Sequence, residues 1–416
     1  MSSAAPEGTE RAAATESAAA WWRLAATVLL GAIGAAGMWS AVVVLPAVQA
    51  EFGVDRAWAS FPYTLTMTGF GVGGILMGRL GDRYGVVVPV TIGTFFLGAG
   101  YIAAAFAPGI LVFAIVQGAM IAMLGSAASF GPLIADISHW FTRNRGIAVA
   151  ICASGSYLGG AAWPPVIQHF VEQVGWRHTY IGIGVFCVVT MLPLGFMLRR
   201  RHPGDAGAPS AANPADAGGR RLAISPRALQ ALLILAGFSC CVAMSMPQVH
   251  IVALCSDRGF GAARGAEMLS LMLGFGIVSR LASGWISDRI GGVRTLLLGS
   301  SLQGVALVFY LFADGLTSLY LISALFGLFQ GGIIPSYAMI VREYFPAKEA
   351  GARVGMVLMA SLGGMAFGGW VTGAIFDFAG SYRAAFINGI AWNLVNVSIA
   401  YWLLRQGRPR NTPVPA

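Results

Sequence analysis

The sequence predicts an all-α polytopic membrane protein whose twelve transmembrane helices form two related six-helix halves. Three observations predict it: 57% of the residues are hydrophobic and only 10% charged, glycine accounts for 56 of 416 residues, and apolar runs recur along the chain. Soluble domains carry about 25% charged residues and about 7% glycine. Membrane helices associate through small residues and are richer in glycine. The composition therefore excludes an ordinary water-soluble domain.

Twelve apolar runs are long enough to cross a bilayer, which takes about 20 mainly apolar residues. They define predicted spans 1 to 12, at residues 24–47, 57–78, 86–107, 109–137, 146–168, 179–198, 227–253, 266–287, 293–313, 316–341, 353–376 and 383–404. The polar, Ala-rich stretch 1–20 lacks the pattern of a signal peptide, and we expect a disordered cytoplasmic tail there. We expect a second cytoplasmic tail at 406–416.

Basic residues set the predicted orientation. An even number of spans places both termini on one side, and that side carries 20 Lys and Arg residues. The opposite side carries five, namely Arg56, Arg177, Arg258, Arg264 and Arg383. Because cytoplasmic segments are enriched in Lys and Arg, both termini are predicted to be cytoplasmic. The net charge of +9 thus reflects topology, and it does not indicate nucleic-acid binding.

The two halves are predicted to be an internal repeat. Residues 199–226 are rich in Arg, Pro, Gly, Ala and Asp, which is typical of a flexible cytoplasmic linker, and they divide residues 21–198 from residues 227–405. Related motifs end spans 2 and 8 at an offset of 206 residues: Gly78, Asp82, Arg83 and Gly85 correspond to Gly284, Asp288, Arg289 and Gly291. Two parallel six-helix halves are a transporter design.

The repeated loop resembles the signature loop of the major facilitator superfamily, and this resemblance covers the whole chain. It implies a transporter with its substrate site between the two halves. It also implies that Asp82 helps to hold the cytoplasmic side closed against the start of span 11. A carboxylate is favoured at a helix N-terminus, which agrees with that role.

A narrower resemblance covers about 20 residues, from Trp140 to Gly159. This run has an aromatic pair, a basic cluster and a helix of small residues. It is similar to the junction of spans 4 and 5 in the monocarboxylate transporters and their bacterial oxalate/formate antiporter-like relatives. Membership of that branch implies that a small organic anion is carried.

Arg280 is the one charged residue predicted to lie deep in the membrane. It precedes Asp288, at the end of span 8, by eight residues, which places it about 12 Å inside. A buried charge is costly and therefore indicates function. Gly276, Ser283, Gly284 and Ser287 make the same helix polar and small, and we expect that face to line a cavity. A purely structural arginine is the alternative.

The same arginine matches, by resemblance, the residue in span 8 that binds substrate carboxylate in the monocarboxylate transporters. A planar guanidinium can hold a carboxylate through two parallel hydrogen bonds. In the mammalian members an aspartate precedes this arginine by four residues, and here that position is Gly276. The departure leaves the group that carries the proton open.

Two residues of span 7 are candidates for proton coupling. His250 and Asp257 are seven residues apart and share a helix face. An imidazole titrates near physiological pH, and burial can raise a carboxyl into that range. His250 is also a candidate for substrate binding. The alternatives are a packing histidine and a charge at the end of a helix.

Further polar and aromatic residues within the spans are weaker candidates for substrate binding. Each has the alternative role of a hydrogen bond between helices, which is worth about 0.6 kcal/mol in membranes. They are Trp39 in span 1, Gln117 in span 4, Tyr157 in span 5, and Gln330 and Tyr337 in span 10.

The charges that are missing narrow the function. Oxalate-exchanging relatives use a lysine in span 11, whereas residues 355–376 are uncharged here and Lys348 is the only lysine in the chain. One deep cation favours a monocarboxylate over a dicarboxylate. The acids nearest the membrane interior, Asp136 and Asp377, lie close to span ends, which disfavours a cation exporter.

No motif for an enzyme or for ATP use is found, and we expect no catalytic residue, metal or cofactor. The sequence therefore predicts a monomeric secondary transporter of the bacterial inner membrane that carries a small carboxylate with H⁺. An organic-anion exchanger for carboxylates or dicarboxylates is the main alternative. A drug or metabolite efflux pump of the same superfamily is a second one.

Overall fold

A computed structural model describes residues 17–141, 144–199 and 224–406. Nearly all of the predicted N-terminal tail, most of the predicted linker and the predicted C-terminal tail lie outside the described residues, as does Arg143 of the basic cluster. Helices occupy every predicted span. By length and composition alone, ten helical segments in the described part could each cross a membrane.

The helical segments follow the predicted order, with some spans built from more than one piece. Their bounds are Ala18–Gly34, Ala36–Val43 and Leu45–Phe52 (span 1), Arg56–Tyr84 (span 2), Val87–Ala105 (span 3), Ile110–Val116, Gln117–Gly125, Ser126–Ser129 and Gly131–Trp140 (span 4), Arg145–Met197 (spans 5 and 6), Pro226–Asp257 (span 7), Ala262–Ile290 (span 8), Gly292–Tyr310 (span 9), Leu316–Gln330 and Ile333–Tyr344 (span 10), Ala347–Ala379 (span 11) and Tyr382–Gln406 (span 12).

Two differences separate the twelve predicted spans from the ten apolar segments. Spans 5 and 6 run together as Arg145–Met197, but Gly175 within it has φ 79° and ψ 160° and divides two helices. Such a positive φ favours glycine, which has no Cβ to clash. The helix Arg56–Tyr84 is absent from the ten segments because threonine, glycine and charged residues lower its mean hydropathy.

Span 4 is the least regular helix. It passes from an α-helix into a π-helical segment at Gln117–Gly125, then into a 3₁₀ turn at Ser126–Ser129. The Ser126 hydroxyl donates to the Gly34 carbonyl oxygen at 2.8 Å, and the Ser129 hydroxyl donates to the Ser126 carbonyl oxygen at 2.8 Å. Serine hydroxyls that bond to the main chain compete with regular helix. π-helical turns are rare and are found often at functional sites.

The described residues group into two compact units. The first comprises the described residues within Met1–Ala211, Gln248–Gly274 and Gly369–Gly380, and the second comprises the remaining described residues. At one end of the first unit, Arg177 Nε donates to Glu51 Oε1 at 2.8 Å, and its Nη2 donates to the Ala107 carbonyl oxygen at 3.0 Å. Arg177 therefore ties the ends of spans 1, 3 and 6.

A second arginine, Arg23, ties spans 1 and 6 to span 4 at their opposite ends. Arg23 donates from Nε and Nη2 to the two carboxylate oxygens of Asp136, both at 2.7 Å, and from Nη2 to the Leu198 carbonyl oxygen at 3.0 Å. Its guanidinium lies 4.7 Å from the centre of the Trp140 ring. Arg23 thus joins spans 1, 4 and 6, in addition to its predicted place on the cytoplasmic side.

The second unit has its own packed interior. Tyr310 stacks on Phe386 with ring centres 4.9 Å apart and an interplanar angle of 10°. The Tyr310 hydroxyl lies 2.9 Å from the Ser323 hydroxyl. These contacts join spans 9, 10 and 12, and aromatic pairs of this kind contribute about 0.5–1.5 kcal/mol beyond their burial.

Candidate functional site

Arg280 lies in the middle of the helix Ala262–Ile290 and is half-buried. One turn further on, a Cβ built on Gly284 would meet nothing within 4 Å. Residues four apart share a helix face, so Arg280 and the open position at Gly284 lie together. The helix surface one turn from the guanidinium is therefore open at position 284.

The rest of the small-residue face of span 8 has a different role from the one we expected. A Cβ on Gly331 would overlap the Gly276 carbonyl oxygen, and a Cβ on Gly332 would overlap the Ser283 side chain. Gly276 and Ser283 therefore pack directly against span 10, where glycine allows a close approach of the two helices. The expectation that they line a cavity with Arg280 is wrong, because the small residues are needed for this contact.

The two proton-coupling candidates lie in the first unit, on the helix Pro226–Asp257. His250 is fully buried, and its Nε2 atom donates to the Gly369 carbonyl oxygen of span 11 at 2.8 Å. Asp257 is the last residue of the helix, and 35% of its side chain is exposed. The two residues thus face different partners.

Arg56 is the partner of Asp257, a role that no local feature of the sequence indicates. Its Nη2 atom donates to both carboxylate oxygens of Asp257 at 3.0 Å. The main-chain N–H groups of Arg56 and Ala57 donate to the two carboxylate oxygens of Asp377 at 2.9 and 2.8 Å. Asp377 therefore caps the start of span 2, where a negative charge is favoured. The Arg56 guanidinium also lies 4.9 Å from the centre of the Phe376 ring.

Three of the weaker candidates lie in the first unit. Gln117 is fully buried; its Nε2 donates to the Gly37 carbonyl oxygen at 2.9 Å, and its Oε1 accepts from the Tyr180 hydroxyl at 3.5 Å. Trp39 packs against Gly160, where a Cβ would lie 2.8 Å from its Nε1 atom. Tyr157 is half-buried on the same helix as Gly160. These contacts tie span 1 to spans 4 and 5, and span 4 to span 6.

The other two weaker candidates lie in the second unit. Tyr337 is buried, and its hydroxyl donates to Asn396 Oδ1 at 2.9 Å. Asn396 Nδ2 in turn donates to the Ser300 hydroxyl at 2.7 Å. Gln330 is buried at the last residue of the helix before Gly331. The hydroxyl of Tyr337 thus belongs to a chain of hydrogen bonds through spans 9, 10 and 12.

The two signature loops have the same backbone geometry. Gly85 has φ 83° and ψ 164°, and Gly291 has φ 85° and ψ 160°. Each glycine closes its helix through an N–H bond, from Gly85 to the Gly81 carbonyl oxygen at 2.8 Å and from Gly291 to the Ser287 carbonyl oxygen at 2.9 Å. The positive φ explains why glycine recurs at this place in both halves.

The charged residues of these loops point away from the protein interior. Asp82, Arg83, Asp288 and Arg289 are exposed. Arg83 lies over the Tyr84 ring at 5.3 Å and Arg289 over the Trp285 ring at 3.4 Å. Gly78, like Gly284 in the second half, would accept a Cβ without a contact within 4 Å. The gating role of these residues stays a prediction.

Comparison with known proteins identifies the family. The family model of the Major Facilitator Superfamily matches residues 27–318 and 281–416, which together take in nearly the whole chain. The chain belongs to the major facilitator superfamily. This membership confirms a twelve-helix membrane transporter and agrees with the resemblance of the two signature loops.

Several relatives within the superfamily have substantial similarity over most of this transporter. Monocarboxylate transporter 13 of Bos taurus is 27% identical over 335 residues, which are 79% of this chain and 75% of that protein. An MFS-type transporter of Bacillus subtilis, YcxA, is 24% identical over 347 residues, 82% of this chain and 84% of that one. The MFS transporter asaE of Aspergillus flavus is 26% identical over 310 residues, 74% of this chain and 68% of that one.

Solved structures of other transporters share the fold. A bacterial homolog of the human lysosomal transporter Spinster superposes with a TM-score of 0.71 at 13% identity and covers 93% of this chain and 97% of its own. A peptide transporter, POT, in complex with alafosfalin gives a TM-score of 0.74 at 15% identity, with 96% and 99% coverage. At these identities the likeness concerns the fold alone.

Proposed function

We propose that this protein is a secondary active transporter of small organic anions, and that it carries a monocarboxylate together with a proton by alternating access. The observation that carries this proposal is Arg280, a half-buried cation in the middle of a membrane-spanning helix, beside the open position at Gly284. A guanidinium in such a place can bind one carboxylate with two parallel hydrogen bonds. The named monocarboxylate transporters among its relatives support the same substrate class.

The charge available to a substrate favours one carboxylate over two. In the helix Ala347–Ala379, Arg353 forms an ion pair with Glu349. The Arg353 Nη2 atom lies 2.7 Å from a Glu349 carboxylate oxygen. From Gly355 to Phe376 the same helix carries no charge. A dicarboxylate bound at Arg280 would bring a second negative charge with no cation from span 11, and burying it would be costly.

The proton is proposed to bind at Asp257 or His250. Protonation of Asp257 would remove its charge from the contact with Arg56, which lies 3.0 Å away. Protonation of His250 would add a charge to a fully buried ring that already donates to Gly369. Either event changes the charge balance within the helix of span 7 and so can couple proton binding to a change of conformation.

The proposed cycle exposes the Arg280 site first to one side of the membrane and then to the other. The signature loops at Asp82 and Asp288 act as gates on the cytoplasmic side, where both termini are also proposed to lie. We propose that the protein works as a monomer in a bacterial inner membrane. The substrate and the proton share one passage in each cycle, so the proton gradient drives accumulation.

The test replaces Arg280 and measures uptake of radiolabelled pyruvate, L-lactate and oxalate into proteoliposomes with an imposed pH gradient. Arg280→Lys keeps the charge but loses the planar fork, and we expect pyruvate or lactate uptake to fall by at least about tenfold, equivalent to about 1.4 kcal/mol. Arg294→Lys, at an exposed arginine near the start of span 9, is the matched control and should be neutral.

The same assay separates the alternatives. Uptake of pyruvate or lactate that needs the pH gradient supports symport, whereas oxalate counterflow without a gradient would favour an organic-anion exchanger. Near-normal uptake of every transported acid in Arg280→Lys would refute the proposed site. A thermal-shift screen of the purified protein with mono- and dicarboxylates across pH then selects the best substrate for kinetics.

A further inference from the structure

A groove runs between spans 9 and 12 on the surface of the second unit. Its volume is about 350 Å³, which lies within the range of small-molecule sites. Val305, Phe309 and Leu394 line it, and they are 45%, 45% and 58% exposed. Because exposed apolar side chains in the spans of a membrane transporter face lipid, the groove opens to the hydrocarbon of the bilayer. Asn393 and Ser301 are the polar side chains of its lining.

The amide of Asn393 has one polar atom that its protein neighbours do not use. The residue is 2% exposed, and its Nδ2 atom donates to the Ser300 carbonyl oxygen at 3.2 Å. A carbonyl oxygen only accepts, so this bond fixes which way the amide is turned. The Oδ1 atom lies against Gly304 of the groove, where a built Cβ would be 2.5 Å from it. Among the described residues, no group donates a hydrogen bond to this Oδ1 atom.

Asn396, one turn further along span 12, has both ends of its amide paired. Its Oδ1 atom accepts from the Tyr337 hydroxyl at 2.9 Å, and its Nδ2 atom donates to the Ser300 hydroxyl at 2.7 Å. These bonds lie inside the second unit, away from the groove. The two asparagines therefore differ in the Oδ1 atom, which is satisfied in Asn396 and lacks a donor beside the groove in Asn393.

The groove lies too deep in the membrane for water or a lipid headgroup to supply that donor. Gly304 is 12 residues beyond Gly292, where span 9 begins, and Asn393 is 11 residues beyond Tyr382, where span 12 begins. At 1.5 Å per residue these separations are about 18 and about 17 Å, near the middle of a hydrocarbon core about 30 Å thick. A polar atom without a partner is costly there, and so is a charged ligand.

We propose that this groove binds an uncharged amphiphile from the bilayer, with its apolar body against Val305, Phe309 and Leu394 and a hydroxyl group that donates to Asn393 Oδ1. A plain acyl chain would cover the same walls but would leave Oδ1 without a donor. A helix of a second copy uses its main-chain N–H groups internally, and at a diameter of about 10–12 Å it is too wide for this groove. The site does not include Arg280, and it does not depend on which solute is carried.

Photolabelling with a matched pair of probes tests the site. One probe is octanol with a diazirine on its chain, and the other is its methyl ether, which has the same apolar body but no O–H donor. Each probe is irradiated with the purified full chain in nanodiscs of phosphatidylethanolamine and phosphatidylglycerol, and mass spectrometry of peptides measures insertion into spans 9 and 12. At equal concentration in the bilayer, we expect the alcohol to label the groove residues at least about fivefold more than the ether, because only the alcohol can donate to Oδ1.

Two groove variants have matched controls in the same chain. Asn393→Leu removes the acceptor, and its control is Asn388→Leu, at an asparagine of the same helix outside the groove lining. Val305→Trp fills the groove and keeps the acceptor, and its control is Leu298→Trp, at another exposed position of span 9. We expect labelling by the alcohol to fall at least about fivefold in both groove variants. Both controls should keep the parent level.

Equal labelling by the two probes would overturn the proposal, as would labelling by the alcohol that survives both groove variants. If Asn393→Leu lowers the thermal unfolding temperature, Val305→Trp decides the matter, because it keeps the amide of Asn393. Exclusion of both probes from the parent groove would also reject the site. Oxidative cross-linking of Leu394→Cys into dimers would then assign the groove to a second copy, since the five native cysteines are buried. Uptake is no part of the readout, so failure of the transport proposal leaves this result unchanged.

Discussion

Two buried arginines in the described part of the chain form ion pairs, and the pairs are built differently. Arg23 uses two guanidinium nitrogens on the two oxygens of Asp136, both at 2.7 Å, and the side chains are 5% and 10% exposed. Arg56 uses one nitrogen on both oxygens of Asp257 at 3.0 Å, and Asp257 is 35% exposed. Both side chains of the Arg23–Asp136 pair are buried, whereas only the arginine of the Arg56–Asp257 pair is buried.

The positions of the two pairs in the sequence match this difference. Arg23 and Asp136 both lie in the first half of the sequence, in spans 1 and 4, where two helices of one bundle can stay in contact throughout a transport cycle. Arg56 binds carboxylates from spans 7 and 11. Under the proposed alternating-access cycle, the first kind of contact would fix the shape of a bundle and the second would be reversible.

The largest expected effect is on the free energy of unfolding, at the buried Arg23–Asp136 pair. Asp136→Ala leaves the Arg23 charge buried beside Trp140, and we expect a loss of about 3–5 kcal/mol in the free energy of unfolding. Denaturant unfolding of the purified protein in detergent measures it. The double variant Arg23→Met with Asp136→Leu should recover most of that stability because no charge stays buried. A single variant as stable as the parent would show that Arg23 reaches water.

A smaller effect on the free energy of unfolding is expected at the Arg56–Asp257 pair. Arg56→Gln leaves Asp257 with access to solvent, so we expect a loss of about 1 kcal/mol, measured in the same denaturant assay. Arg383→Gln, at an exposed arginine predicted to lie on the same side, is the control and should stay within about 0.5 kcal/mol. A loss as large as that of Asp136→Ala would mean that the two pairs do not differ in kind.

The smallest expected effect concerns a neutral hydrogen bond. Tyr337→Phe removes the bond to Asn396 Oδ1, which is 2.9 Å long, and such bonds between membrane helices contribute about 0.6 kcal/mol. Because the hydroxyl is already used between helices, we expect the concentration dependence of pyruvate uptake to stay unchanged. A clear rise in KM would place Tyr337 in the substrate site after all.

The fold could be predicted from the sequence because its signals are local. Each apolar run predicts its own span. The repeated loops at Gly85 and Gly291 predict a backbone geometry that only a few residues around each glycine determine. The divided structure of span 4 was harder to foresee. The 3₁₀ turn that follows its π-helical segment makes a hydroxyl contact from Ser126 to Gly34, which lies 92 residues away.

The candidate site was predicted less completely, for the same reason. Arg280 can be identified from the sequence because a charge within an apolar run is a local signal that does not depend on distant residues. Arg56 looked like one more external arginine, since its carboxylate partners lie 201 and 321 residues away. Gly276 and Ser283 have the composition of a cavity wall, and only the position of Gly331 and Gly332 shows that they are a packing surface instead.

These separations along the chain also set an order of assembly on the ribosome. Chains emerge from the N-terminus, and early segments can fold before later ones are made. Arg23 can pair with Asp136 as soon as span 4 has been inserted. Arg56 can pair with Asp257 only after span 7 has been made, and the start of span 2 can be capped only after Asp377, near the end of the chain, has been made. A truncated chain that stops before span 11 would therefore have a finished first bundle and no cap from Asp377 on span 2.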